Sequence, residues 1–139
     1  MANAIFNSFK RDTMDGTIDL ANDTIKIALV TSSYTPDIDA HEDFADITNE
    51  VSGTGYTAGG ETLTTTVSVD DTDNEGVFDA NDVTWSASTI TARGAVIYKD
   101  TGTPATSPLV CYIDFGADKT STAGDFVVTF DSEGIFNLN

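Results

Sequence analysis

The chain has 139 residues, a length that suits one domain and is enough to bury a proper core. Its 40% hydrophobic and 21% charged residues place it among globular rather than disordered chains. Six Lys+Arg against 23 Asp+Glu give a formal net charge of -17, and such a surface repels nucleic acid and anionic membranes, which argues against both as direct partners.

The N-terminal stretch "ANAIFNSFKRDTMDG" sets Ile5, Phe6 and Phe9 on one possible helical face, with Gly16 as a stop. Residues 1-12 therefore read as a short helix or an extended arm of a single β domain spanning residues 1-139. Lys10 and Arg11 come too late for a secretory signal, and no segment approaches the length of a membrane span. "TIKIALVTS" alternates Ile25, Ile27 and Leu29 against Lys26 and Ala28, the pattern of a half-buried strand. In "TPDIDAHEDFADIT", Pro36 and Asp37 can open a short helix that turns Phe44 and Ile47 inward.

"TNEVSGTGYTAGGETLTTTVSV" packs Gly53, Gly55, Gly59 and Gly60 around Tyr56, then alternates Leu63, Thr65, Val67 and Val69 with Thr62, Thr64, Thr66 and Ser68. The second half is a strand, so the glycines form the loop that leads into it. "DDTDNEG" is a turn, and "FDANDVTWS" places Val83 and Trp85 on a short strand. "ARGAVIYKD" and "LVCYIDFG" form the strongest strand pair, joined through "TGTPATSP", with Leu109, Cys111, Ile113 and Phe115 on one face of the second. "DFVVTFD" turns Phe126, Val128 and Phe130 inward, and "GIFNL" adds an edge piece.

Six or so strands without strand–helix alternation predict an all-β fold, an antiparallel β-sandwich or barrel with one or two short helices. The composition agrees. Nearly all the acid is Asp, which favours turns, with Glu only at Glu42, Glu50, Glu61, Glu75 and Glu133, and Thr is abundant. The chain shows no internal repeat and no linker that would divide it.

Each candidate site has a structural reading beside the chemical one. Gly55 and Gly60 have the glycine spacing of a phosphate loop, but Glu61 stands where its lysine belongs, and a strand follows where a helix N-terminus is required. A loop with left-handed backbone, anchored by the Tyr56 ring, is the better reading. Asp71, Asp73, Glu75, Gly76 and Asp82 fall on the acidic and glycine positions of a calcium loop. Strand-like flanks and a short Asp82 at the bidentate position favour an acidic hairpin tip facing solvent. His41, among Asp39, Glu42 and Asp43, is the lone histidine and reads as a surface residue on an acidic helix rather than a metal ligand. Cys111 is the one cysteine, so no intramolecular disulfide forms, and its apolar strand makes it a buried core thiol. Arg93 pairs with an acid across the sheet or on a partner chain. No nucleophile–base pair, zinc spacing or distinguished carboxylate pair emerges, so no catalytic, cofactor-binding or metal residue is expected. A structural or binding module stands ahead of an enzyme.

In their order, "IKIALVTSSYTPD", "TNEVSGTGYTAGG", "DVTW", "AVIYKDTGT" and "YIDFG" run through almost the whole chain. This order resembles a widespread family of small structural proteins of tailed bacteriophages. Members are virion components, and several look like capsid decoration (cement) proteins. The resemblance implies a non-enzymatic virion protein, assembled in the bacterial host cytoplasm, whose partner is the major capsid protein and which forms a homo-oligomer. It carries no catalytic residues to transfer. A tail, fibre or adhesion component is the alternative, and a carbohydrate-active domain is a reading from another class. Under the decoration reading, the apolar Ile5, Phe6 and Phe9 form an arm for a neighbouring subunit, so that loss of residues 2-11 weakens capsid binding without unfolding the domain.

Overall fold

In the computed structural model, which describes all of residues 1–139, ten strands and one helix follow one another as β1 (Ala4–Ile5), α1 (Asn7–Met14), β2 (Ile25–Val30), β3 (Glu61–Thr62), β4 (Thr65–Asp70), β5 (Glu75–Ala80), β6 (Val83–Ser88), β7 (Thr91–Lys99), β8 (Leu109–Thr120), β9 (Gly124–Val128) and β10 (Phe136–Leu138). Single 3-10 turns lie at Phe44–Asp46 and Pro104–Thr106. Every strand pairing is antiparallel. The strands form a five-stranded sheet in the order β1-β8-β7-β2-β3, a three-stranded sheet β10-β5-β4 and a two-stranded pair β6-β9. The expected all-β, sandwich-like fold is what forms.

The five-stranded sheet is buried on both faces. Ile25, Ile27 and Leu29 of β2 join Ile97, Ile113, Trp85 and Phe126 in the larger core. Ala28 and Val30, on the opposite side of the same strand, join Phe6, Tyr34, Val96, Tyr98 and Tyr112 in a second cluster. The half-buried reading of β2 is thereby corrected: the segment from Thr31 to Glu50 folds back over the outer face, and Phe44 stacks on Tyr98 at 4.1 Å between ring centroids. That segment holds a 3-10 turn in place of the anticipated helix, and it does turn Phe44 and Ile47 toward the cluster.

Two other departures come from irregularities that period-2 alternation does not encode. The register slips where Ile97 faces Cys111 while Tyr98 faces Leu109, so Val110 is an extra residue in β8. Leu109 therefore leaves the face of Cys111 and Ile113 and packs with Tyr112 in the outer cluster, against the expectation that the three share one face. The Thr-rich strand also breaks at Leu63–Thr64. Its first part, β3, closes the edge of the five-stranded sheet, and its second, β4, crosses to the three-stranded sheet, so Leu63 is buried while Val67 and Val69 are exposed.

The N-terminal segment is core: of the two expected forms the short helix is present, as α1, and the extended arm is not. β1 pairs with β8, the Phe6 N–H donates to the Val110 carbonyl at 3.2 Å, and Phe6 is fully buried. Phe9, on α1, meets Phe136 edge-on at 5.5 Å. The helix is short and carries no side-chain cap, so its stability comes from the packing of this face.

Candidate interaction surface

The Gly-rich segment is a shaped loop, held by one half-buried hydrogen-bond chain. The Tyr56 hydroxyl donates to Glu50 Oε1 at 2.7 Å and accepts the Leu29 N–H at 2.9 Å, and the Gly59 N–H also donates to Glu50 Oε1 at 2.6 Å. Burial first, then the Glu50 carboxylate, pushes the phenol far above its ordinary range, so it stays a neutral donor. The Tyr56 ring lies 6.0 Å from Trp85, the anchoring role expected of it. No helix follows the glycines, so the segment lacks the converging N–H groups of a phosphate site. Replacing Tyr56 with Phe leaves the Leu29 N–H and the Glu50 carboxylate short of a partner. It is expected to cost about 1–3 kcal/mol in urea unfolding, with little change in the folded spectrum.

His41 is not on a helix. Its ring stacks on Tyr34, and its Nδ1 lies 2.9 Å from the Tyr34 hydroxyl and 3.3 Å from the Asp37 N–H, a loop-fastening arrangement. Cys111 is fully buried, and burial pushes its thiol up to about 12. Iodoacetamide at pH 8 is therefore expected to leave the folded protein unmodified and to alkylate Cys111 only in denaturant, as intact-mass measurement would show. Arg93 takes the cross-sheet option: its Nε donates to Asp114 Oδ1 at 2.8 Å between β7 and β8, and that bond holds the carboxyl below its usual range.

The acidic turn is the tip of the β4–β5 hairpin. Asp70 opposes Glu75, Asp70 Oδ1 accepts the Thr72 and Asp73 N–H groups, and Asn74 takes the left-handed conformation at φ 59. Glu75 onward is strand, so the residues matched to a calcium loop do not curl around one point. Asp82 lies beyond the far end of β5 and accepts the Phe130 N–H at 3.0 Å. The hairpin-tip reading holds. What the structure adds is Glu133, which β10 and its preceding turn bring to the tip, so that carboxylate oxygens of Asp73, Glu75 and Glu133 lie within 4.8 Å of one another. Desolvation, then Asp73, Asp70 and Glu133, raise the Glu75 carboxyl above its ordinary range. In sequence Glu133 stands more than fifty residues from the turn, and no local pattern signals the pairing of β10 with β5.

Around this tip the three-stranded sheet has two unlike faces. On one, Val67, Val69 and Leu138 continue outward from buried Phe78, and they are 52%, 74% and 74% exposed. On the other stand Thr66, Ser68 and Asp70 of β4 with Glu75, Val77 and Asp79 of β5. None of the tip's carboxylates has a cation. The ion pairs are Arg11–Asp12, Lys26–Asp100, Arg93–Asp114 and Lys99–Asp23, all elsewhere in the molecule. β4 pairs with β5 on one side, and no strand lies against its outer edge. Unlike most natural edge strands it carries no Lys, Pro or bulge to discourage pairing. A separate cleft of about 530 Å³ runs between β8 and β9, with Phe115, Lys119, Asp125 and Phe126 among its walls. Comparison with family models, with curated proteins and with solved structures finds no match to this chain.

Proposed function

We propose that this protein is a structural component of a tailed-bacteriophage virion, a capsid decoration protein that binds the assembled lattice of the major capsid protein and stabilises the head. The observation that carries the reading is the β4–β5–β10 lobe, an unpaired strand edge with apolar side chains on one face and uncompensated carboxylates on the other, mounted on a sheet buried on both sides. Such a surface suits contact with another protein and needs no reaction chemistry. The segment order that resembles phage virion proteins points to the same class. A protein that binds the assembled shell better than free subunits stabilises it by mass action, and repetition on a symmetric lattice favours a homo-oligomer. An acidic outer surface also limits association between particles.

The test is the copy number of this chain in purified virions relative to the major capsid protein. Copies comparable to the capsid protein support decoration. A handful per particle moves the chain to the tail or a fibre, and its absence from the particle overturns the reading.

A further inference from the structure

The free edge of β4 is chemically specific. The Asn81 N–H donates to the Thr64 carbonyl at 3.0 Å, which fixes the alternation along the hairpin. Thr66, Ser68 and Asp70 direct their backbone groups to β5, and Thr65, Val67 and Val69 direct theirs to the open side. The start of the edge is occupied, because the Thr65 hydroxyl donates to the Leu20 carbonyl at 2.7 Å and draws the preceding loop alongside. Val67 and Val69 remain, each with an N–H and a C=O facing outward.

A strand laid against these groups would sit about 4.8 Å away, its side chains alternating between the same two faces. Residues paired with Val67 and Val69 would fall on the apolar side, the face that Leu138 shares from the far strand β10. The residues between and after them would fall beside Ser68 and Asp70, on the side of Glu75 and Asp79. Apolar groups suit the first set and cations the second.

We propose that β4 is a docking edge for an extended segment of a partner protein in which apolar residues alternate with Lys or Arg, added to the sheet as a fourth strand. This names the partner chemistry for the surface on which the proposed function relies, and so rests on that reading for its biological setting. A second copy of this chain fits less well. Its β4, Thr65–Asp70, contains no cation, so a β4–β4 pairing would place more carboxylate against a face that already has no counter-charge. Main-chain bonds would give affinity and the two faces would give selectivity, as in other strand-addition complexes.

The probe is a fluorescein-labelled peptide, Lys-Val-Lys-Val-Lys-Val-Lys, titrated with the full chain and followed by anisotropy. Two controls accompany it: the same residues in blocks, Lys-Lys-Val-Val-Val-Lys-Lys, and the alternating peptide with Glu for Lys. Val67→Pro deletes an outward N–H while leaving the β4–β5 bonds in place. Val69→Lys keeps the backbone intact and sets a cation on the edge, so the pair covers the case in which proline disturbs folding. The alternating peptide is expected to bind at least tenfold more tightly than the block peptide, with affinity falling as salt rises. Both variants are expected to lose tenfold or more at unchanged circular dichroism, and Asp70→Asn to flatten the salt dependence. Equal binding of the two lysine peptides, undiminished binding to both variants, no binding at all, or a β4-dependent dimer in sedimentation would each overturn the proposal. The peptide result and the virion copy number are independent, so failure of one is distinguishable from failure of the other.

Discussion

A chain lacking residues 2–11 is expected to lose its β circular dichroism and to be recovered unfolded or aggregated. The segment supplies β1, which borders β8, and the fully buried Phe6 and nearly buried Phe9. Truncating one buried Phe to Ala typically costs about 3–5 kcal/mol. Two such losses, with the strand's hydrogen bonds to Tyr112 and Val110, approach the roughly 5–15 kcal/mol that stabilises an ordinary domain. Phe6→Ala alone is expected to lower the melting temperature by about 10–20 °C, at roughly 3–5 °C per kcal/mol for a chain of this size. A truncated chain that kept its spectrum and melted within a few degrees of the full protein would restore the detachable arm.

Gly60→Ala is expected to abolish folding, through a different cause. Gly60 has φ +77, and a Cβ there would lie 1.8 Å from the Ile27 carbonyl oxygen. That oxygen belongs to the middle of β2, which is paired with β7 on one side and β3 on the other, so neither backbone can move aside. The comparison that isolates the cause is Gly102→Ala, at φ +87 with nothing within 4 Å of the new Cβ. Left-handed backbone alone costs about 1–2 kcal/mol for a residue with a Cβ, and that is the loss expected at Gly102. Urea unfolding of the two variants separates strain from collision. Equal midpoints would mean that the close approach at Gly60 relaxes without cost.

Together the two expectations locate the rigid part of the molecule. The glycine loop and the N-terminal segment are both fastened to the five-stranded sheet, the loop by Gly60 and the Tyr56–Glu50–Leu29 chain and the segment by Phe6. The β4–β5 tip is held only by its own hairpin and β10. Variation at the tip is therefore expected to cost little stability, which leaves it available to carry contacts.

Local physics wrote much of this fold into the chain. β-favouring residues at period 2 specify β2, β7, β8 and β9, because alternate side chains must share a face, and Asp/Gly clusters specify the turns between them. The Gly-rich loop, its tyrosine anchor, the buried thiol and the acidic hairpin tip were legible for the same reason: each follows from the conformational or solvation preference of residues adjacent in sequence. Tertiary structure alone decided what depends on distant partners. It buried Phe6 as core, because β8 lies beside it. It moved Leu109 to the outer face through one extra residue in β8. It divided the Thr-rich strand between two sheets, burying Leu63 and leaving Val67 and Val69 in solvent. It brought Glu133 and Leu138 to the β4–β5 tip through β10, completing a surface with an apolar side and an acidic side. Alternation records that a strand has two faces; which face meets the core, and which edge stays open, is set only when the sheets close on one another.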